Sequence, residues 1–229
     1  QSLASVPAEA SRVFNPSIGR LCLKSVGRYS PPRYLASAGG SEAFLRVTRA
    51  LMSEEHCVLA SVPEARPTLQ WALMMLPISM RAERSISVGI RFSLARNLTT
   101  TIIHQDFERV QQMIVGQSIR WRDLQAEALV YDSQYDDWIE FISRRADQGR
   151  LHEISFLTDQ MDDKATQISL ARIAKLCQDR DAADSIDGDV LETLQNEYVG
   201  FAPRNELESR LAAELLGFVE LRLTEMHED

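Results

Sequence analysis

Between Ser85 and Ser93 the chain alternates at every position. Ile86, Val88, Ile90 and Phe92 are apolar, and Ser85, Ser87, Gly89, Arg91 and Ser93 are small or polar. A repeat of two is that of a β-strand, so the segment predicts one strand with four apolar side chains on one face. A lone strand is not stable in water, so the pattern demands a sheet. Thr99 to His104 is rich in β-branched residues and follows a short loop at Leu94 to Asn97. It predicts a neighbouring strand, with a hairpin as one way of joining the two.

Two further runs in the first half fit strands: His56 to Val62, apolar enough to be buried, and Ser118 to Leu124, a last strand. Helical signals lie between them. Ser41 is placed as an N-cap of a helix running to about Ser53, with Phe44, Val47, Leu51 and Met52 near one face. Pro67 suits the first turn of a second helix and Pro77 stops it; Leu69, Leu73 and Leu76 form its stripe. Asp106 is placed to cap a third, ended by Gly116. Residues 1 to 40 read as irregular, punctuated by prolines and glycines, with a short strand at Leu21 to Val26.

After Tyr131 only the helical repeat remains. Tyr135, Trp138, Ile139 and Ile142 share a helix face that ends at Gly149. A helix over 151 to 161 follows. Next, capped by Asp162 or Asp163, comes a helix carrying Ile168, Leu170, Ile173, Ala174 and Cys177. A shorter helix spans Val190 to Val199. The last, about Arg204 to Met226, has a broad apolar face on Leu207, Leu211, Leu215, Phe218, Val219 and Leu223. The expected fold class is α+β. A mixed α/β domain with a small sheet occupies residues 1–130, and an all-α helical domain occupies 131–229.

Charge divides the chain at nearly the same place. Residues 1 to 122 hold 15 basic and 8 acidic residues, and residues 123 to 229 hold 10 and 25, within a net charge of -8. Two domains of opposite sign docked on each other are one use of this split. On that reading, reversing Arg84 or Arg91 would weaken the docking. Of the 25 basic residues, 22 are arginines, a residue suited to planar contacts with carboxylate or phosphate. The series Arg66, Arg81, Arg84, Arg91, Arg96, Arg109, Arg120 and Arg122 has few acids between its members. Aromatics beside it are scarce, and the overall charge is negative, so nucleic acid is a disfavoured partner.

Common catalytic signatures are absent: the chain has no P-loop, G-x-G-x-x-G, G-x-S-x-G, H-E-x-x-H or C-x-x-C. The histidines His56, His104, His152 and His227 lack a second histidine at ligand spacing. His152 with Glu153, and Asp159 with Asp162 and Asp163, read as helix-start residues. Asp179 to Asp189 is rich in aspartate but fails the calcium-loop register. With Gly188 at position 6, Ala183 and Ser185 fall at positions 1 and 3 and Leu194 at position 12. No metal or cofactor is expected. Cys22, Cys57 and Cys177, odd in number and far apart, fit reduced thiols of a cytoplasmic protein. No apolar run is long enough for a membrane span. The stretch after Gln1 has no basic region followed by an apolar run, so no secretory leader is expected there, and an upstream domain remains open.

Leu76 to Arg96, LPISMRAERSISVGIRFSLAR, carries a resemblance. A Leu-Pro ends a helix, an arginine follows, and then comes a strand of the type S-F-[ST]-T-G-[LI]-[KR]-F-S and a further arginine. The segment resembles bacterial GTPase-associated adaptor-type proteins and related uncharacterised bacterial proteins. The matching positions are Leu76, Pro77, Arg81, Glu83, Ser85, Ser87, Gly89, Ile90, Arg91, Phe92, Ser93 and Arg96. The chain departs from the pattern at Arg84, Ile86 and Val88. The resemblance implies a non-enzymatic adaptor beside a GTPase.

Arg81, Glu83, Ser85, Ser87, Gly89, Arg91, Ser93 and Arg96 are therefore the candidate positions for a partner or a phosphate. Two other functions remain open: a nucleic-acid or phosphate-ligand binding module built on the basic half, and an enzyme whose residues gather only in the fold.

Overall fold

A computed structural model describes residues 38–53, 56–89, 91–96, 98–125, 135–161 and 167–228. The strand expected at Leu21 to Val26, Cys22, Ile90, Asn97, the caps at Asp162 or Asp163 and the expected domain boundary between residues 130 and 131 lie outside them.

The first half is a four-stranded sheet between helices. Its elements are α1 (Ala38–Ser53), β1 (Cys57–Ala60), α2 (Ala65–Met74), α3 (Ile78–Ala82), β2 (Ile86–Val88), β3 (Thr100–Ile103), α4 (Phe107–Ile114) and β4 (Arg120–Asp123). All strand pairs are parallel, in the order β2-β3-β1-β4. β1 is buried at all four positions, as its unbroken apolar run requires of a central strand with both faces covered. Cys57, Leu59 and Ile102 join the main core with α1 and α2. Val58, Ala60 and Ile103 form a smaller core with Val110 and Ile114 of α4. The passage from β1 to β2 skips over β3, and the passage from β3 to β4 skips over β1.

Four expectations are corrected. Ser41 lies inside α1 and caps nothing, and the helix already includes Gly39 and Gly40. β2 and β3 are neighbours but parallel, so they are not a hairpin. The strand expected over Ser85 to Ser93 ends at Val88. Gly89 turns left-handed, with φ of 68°, a conformation open to glycine at no steric cost. The turn undoes the alternation beyond it: Ile86 and Val88 pack on the main core, whereas Phe92 packs on the smaller core across the sheet.

The second half is helical: α5 (Asp136–Asp147), α6 (Leu151–Gln160), α7 (Gln167–Ala182), α8 (Gly188–Val199) and α9 (Glu206–Glu228). Gly149, with φ of 69°, separates α5 from α6. Trp138, Ile139 and Ile142 are buried as their spacing predicts, but Ile168, Val190 and Val199 are exposed. The aspartate-rich stretch begins inside α7, where Asp179 accepts hydrogen bonds from Lys175 and Tyr198.

The two halves meet through apolar packing. One cluster joins Phe44, Leu51, Leu59 and Leu76 to Trp138, Phe141, Leu151 and Leu170. Burying a side chain such as Phe141 contributes roughly 2–3 kcal/mol. The indole Nε1 of Trp138 donates to the Met75 carbonyl at 3.0 Å. Ion pairs add at the edge: Arg49 to Asp136 at 3.0 Å and Arg81 to Asp159 at 2.7 Å. Among the described residues, Arg49 and Arg81 bring the opposite charges of the two halves together. Arg91 is exposed, away from this seam.

Candidate functional site

The candidate residues of the 81–96 segment go to different places. Arg81, on the short helix α3, turns inward and is 7% exposed. Its Nε donates to the Leu76 carbonyl at 2.5 Å, Nη2 donates to the Met74 carbonyl at 2.8 Å and to Thr158 Oγ1, and Nη1 donates to Asp159 at 2.7 Å. Burial pushes the guanidinium below its ordinary range, and the hydrogen bond and charge of Asp159 oppose that push. Arg81 ties α3, the end of α2 and α6 together, and its donors are spent on the protein.

Glu83, just past α3, is exposed. Ser85 and Thr99 bind each other: Thr99 N donates to Ser85 Oγ at 3.0 Å and Ser85 N to Thr99 Oγ1 at 2.9 Å. Ser87 is buried and its Oγ donates to Thr101 Oγ1 at 3.4 Å. These hydroxyls fasten β2 to β3. They do not form one face with Arg91 and Ser93, because Gly89 ends the strand. Ser93 borders a small hollow with His56, Leu98 and Thr101. Arg96 is exposed and its Nη1 donates to the Arg91 carbonyl at 3.2 Å.

Gly89 and Arg91 line a cleft of about 420 Å³ at the carboxyl ends of β2 and β3. Phe92, His104, Asp106 and Arg109 also face it. Among the described non-glycine residues, Ser61, Glu64 and Asp106 have positive φ (58°, 39° and 60°). All follow the carboxyl ends of β1 and β3. Non-glycine residues held left-handed cost of order 1–3 kcal/mol each and cluster where a fold places function. In open α/β sheets ligands bind beyond the carboxyl ends of the strands, where the chain's crossovers diverge. Here the crossovers diverge between β1 and β3, and the cleft lies one strand aside.

A larger groove, about 700 Å³, runs between α2, α6, α7 and α9. Trp71, Met74, Phe156, Leu157 and Leu211 give it apolar walls, and Cys177 lies within it. Its charges are engaged in ion pairs. Arg145 reaches Asp181 at 2.7 Å and Glu153 at 3.6 Å, Arg81 holds Asp159, and Arg210 pairs with Glu214 at 3.6 Å. Burial pushes the Cys177 thiol up to about 12, partly countered by Arg145. A thiol so protonated is a poor nucleophile at neutral pH. Phe156, in the groove wall, stands 66% exposed.

No local motif announces this groove, because its walls come from residues 71 to 214. One signal was available. Leu151, Ile154, Leu157 and Thr158 form the buried stripe of α6, and Phe156 falls off it, so the helical repeat alone leaves an aromatic unaccounted for. Among the described residues no group of His, Cys, Asp and Glu is placed to hold a metal, and no helix is long and apolar enough to cross a membrane. Compared with protein-family models, curated proteins and solved structures, the chain matches none.

Proposed function

We propose that the protein is a non-enzymatic cytoplasmic adaptor. It takes an apolar segment of a partner protein into the groove between α2, α6, α7 and α9. The observation that carries this reading is Phe156, a large exposed aromatic beside an apolar groove whose charges are already ion-paired. Aromatic anchors surrounded by neutralised polar groups are what protein interfaces use at their centres. The groups an enzyme would need in that groove are spent: Cys177 stays protonated, and Glu153 and Asp159 serve arginines. The resemblance of residues 76–96 to GTPase-associated adaptor-type proteins supports a GTPase as the partner and a bacterial setting.

The test is affinity purification of the tagged protein from its native host, beside a Phe156→Asp variant. Recovery of a GTPase by the wild type and its loss with the variant is the expected result. Equal recovery by both would remove the groove from the reading. Recovery of no GTPase by either would remove the GTPase.

A further inference from the structure

The cleft at the carboxyl ends of β2 and β3 is separate from the groove and plays no part in partner docking as proposed. Two stretches of the chain build it, residues 89 to 92 and residues 103 to 113. Arg91 arrives just after the Gly89 turn, His104 and Asp106 follow β3, and Arg109 stands in the first turn of α4. Arg91 and Arg109 are both exposed, so their guanidinium groups can meet a ligand without the cost of leaving a buried partner. The cleft lies in the basic half of the chain, where residues 1 to 122 hold 15 basic residues against 8 acidic.

We propose that this cleft binds a phosphate-bearing small molecule of mononucleotide size, a nucleoside monophosphate being the simplest form. Guanidinium forks match phosphate oxygens in planar, bidentate geometry. Such contacts are strongest where a cleft wall excludes part of the water. The rest of the lining is wrong for a bare anion. The Asp106 carboxylate repels phosphate but accepts hydrogen bonds from sugar hydroxyls, and half-buried Phe92 offers an apolar wall for a ring. A cleft of about 420 Å³ falls within the range of roughly 300–1,000 Å³ typical of small-molecule sites. The left-handed turns at Gly89 and Asp106 shape the rim. The side chain of His104 packs below Gly89, where a Cβ would stand 3.9 Å from Cδ2.

The experiment is calorimetric titration of the full chain with AMP and GMP, and separately with inorganic phosphate. Saturable binding of at least one nucleotide is expected, with inorganic phosphate at least tenfold weaker. Arg91→Ala and Arg109→Ala should each weaken nucleotide binding at least tenfold, and Arg210→Ala, in the interhelical groove, should not. The substituted residues are exposed, and an unchanged thermal melt establishes that each variant is folded. Four outcomes would overturn the proposal. One is no saturation by either nucleotide at millimolar concentration. A second is nucleotide binding indifferent to both arginines. A third is phosphate binding as tight as nucleotide. The fourth is single-stranded RNA binding more tightly than nucleotide through the same arginines, which would make the cleft part of a nucleic-acid surface.

Discussion

Arg81 and Asp159, 78 positions apart, meet at 2.7 Å across the boundary between the sheet-bearing half and the helical half. The arginine is buried and the aspartate side chain is 46% exposed. The contact is therefore unequal. Removing the arginine takes a donor from the Leu76 and Met74 carbonyls, of which Met74 keeps the Thr158 hydroxyl, whereas removing the aspartate leaves the buried guanidinium its carbonyl and hydroxyl acceptors but no counter-charge. Arg81→Ala should destabilise by about 3 kcal/mol, as expected when a buried ionic network loses a member. Asp159→Ala should cost less, because the guanidinium keeps its other acceptors, but more than the loss of an exposed pair, because the charge stays buried. Urea unfolding of the two variants measures the difference, and equal losses would contradict the asymmetry.

Trp138 anchors α5 to the end of α2. Its ring is fully buried and its Nε1–H binds the Met75 carbonyl. Trp138→Phe keeps most of the apolar surface but orphans that carbonyl, so about 1–3 kcal/mol should be lost. Trp138→Ala should cost about 3–5 kcal/mol. Chemical denaturation distinguishes the two steps. A Phe variant as stable as the wild type would show that the hydrogen bond contributes nothing.

The protein should lose stability at alkaline pH. The Cys177 thiol, raised by burial to about 12 from an ordinary 9.0, stays protonated in the folded chain after the unfolded chain has released its proton. Between about pH 9 and 12 the folded state therefore binds more protons, and stability falls as pH rises. Tyr198 is raised as well, by burial and by its hydrogen bond to Asp179. Burial opposes the charge on Lys175, yet hydrogen bonds to Glu197, Asp179 and Tyr198 raise its pKa overall. Both act in the same direction as the thiol. Melting temperatures measured across this range should decline, and Cys177→Ala should flatten the early part of the decline.

Thiol chemistry gives an independent reading of the same residue. Native Cys177 should react with maleimide far more slowly than in urea at pH 8, because the thiolate is the reactive form. Mass spectrometry locates the label. Rapid native labelling of Cys177 would contradict its protonated, half-buried state.

Gly89 is the turn that sends the chain from one face of the sheet to the other. Space for a methyl group exists there, the nearest atom being 3.9 Å from an ideal Cβ. The left-handed backbone is the obstacle. Gly89→Ala should cost roughly 1–2 kcal/mol. Gly200→Ala, at an ordinary φ of -92° with nothing near its Cβ, should change stability little. Thermal denaturation compares them.

Local periodicity determined much of this architecture. The buried run at His56 to Val62 became β1, the β-branched run at Thr99 to His104 became β3, and Trp138, Ile139 and Ile142 took the inner face of α5. These signals are legible because a strand or helix facing a core must repeat its apolar residues with its own period. The alternation from Ser85 to Ser93 misled for a physical reason. Period 2 reports side-chain chemistry but not φ, and Gly89 breaks the strand without disturbing the pattern. Strand direction was equally illegible, because β2 and β3 carry their apolar residues in the same way whether they run parallel or antiparallel. Tertiary structure alone decided that the sheet is parallel, that Arg81 serves the interior while Arg91 and Arg109 line one cleft, and that Phe156 lines a groove. Each depends on contacts between residues tens of positions apart, and such contacts are selected by how whole elements pack, which no local repeat encodes.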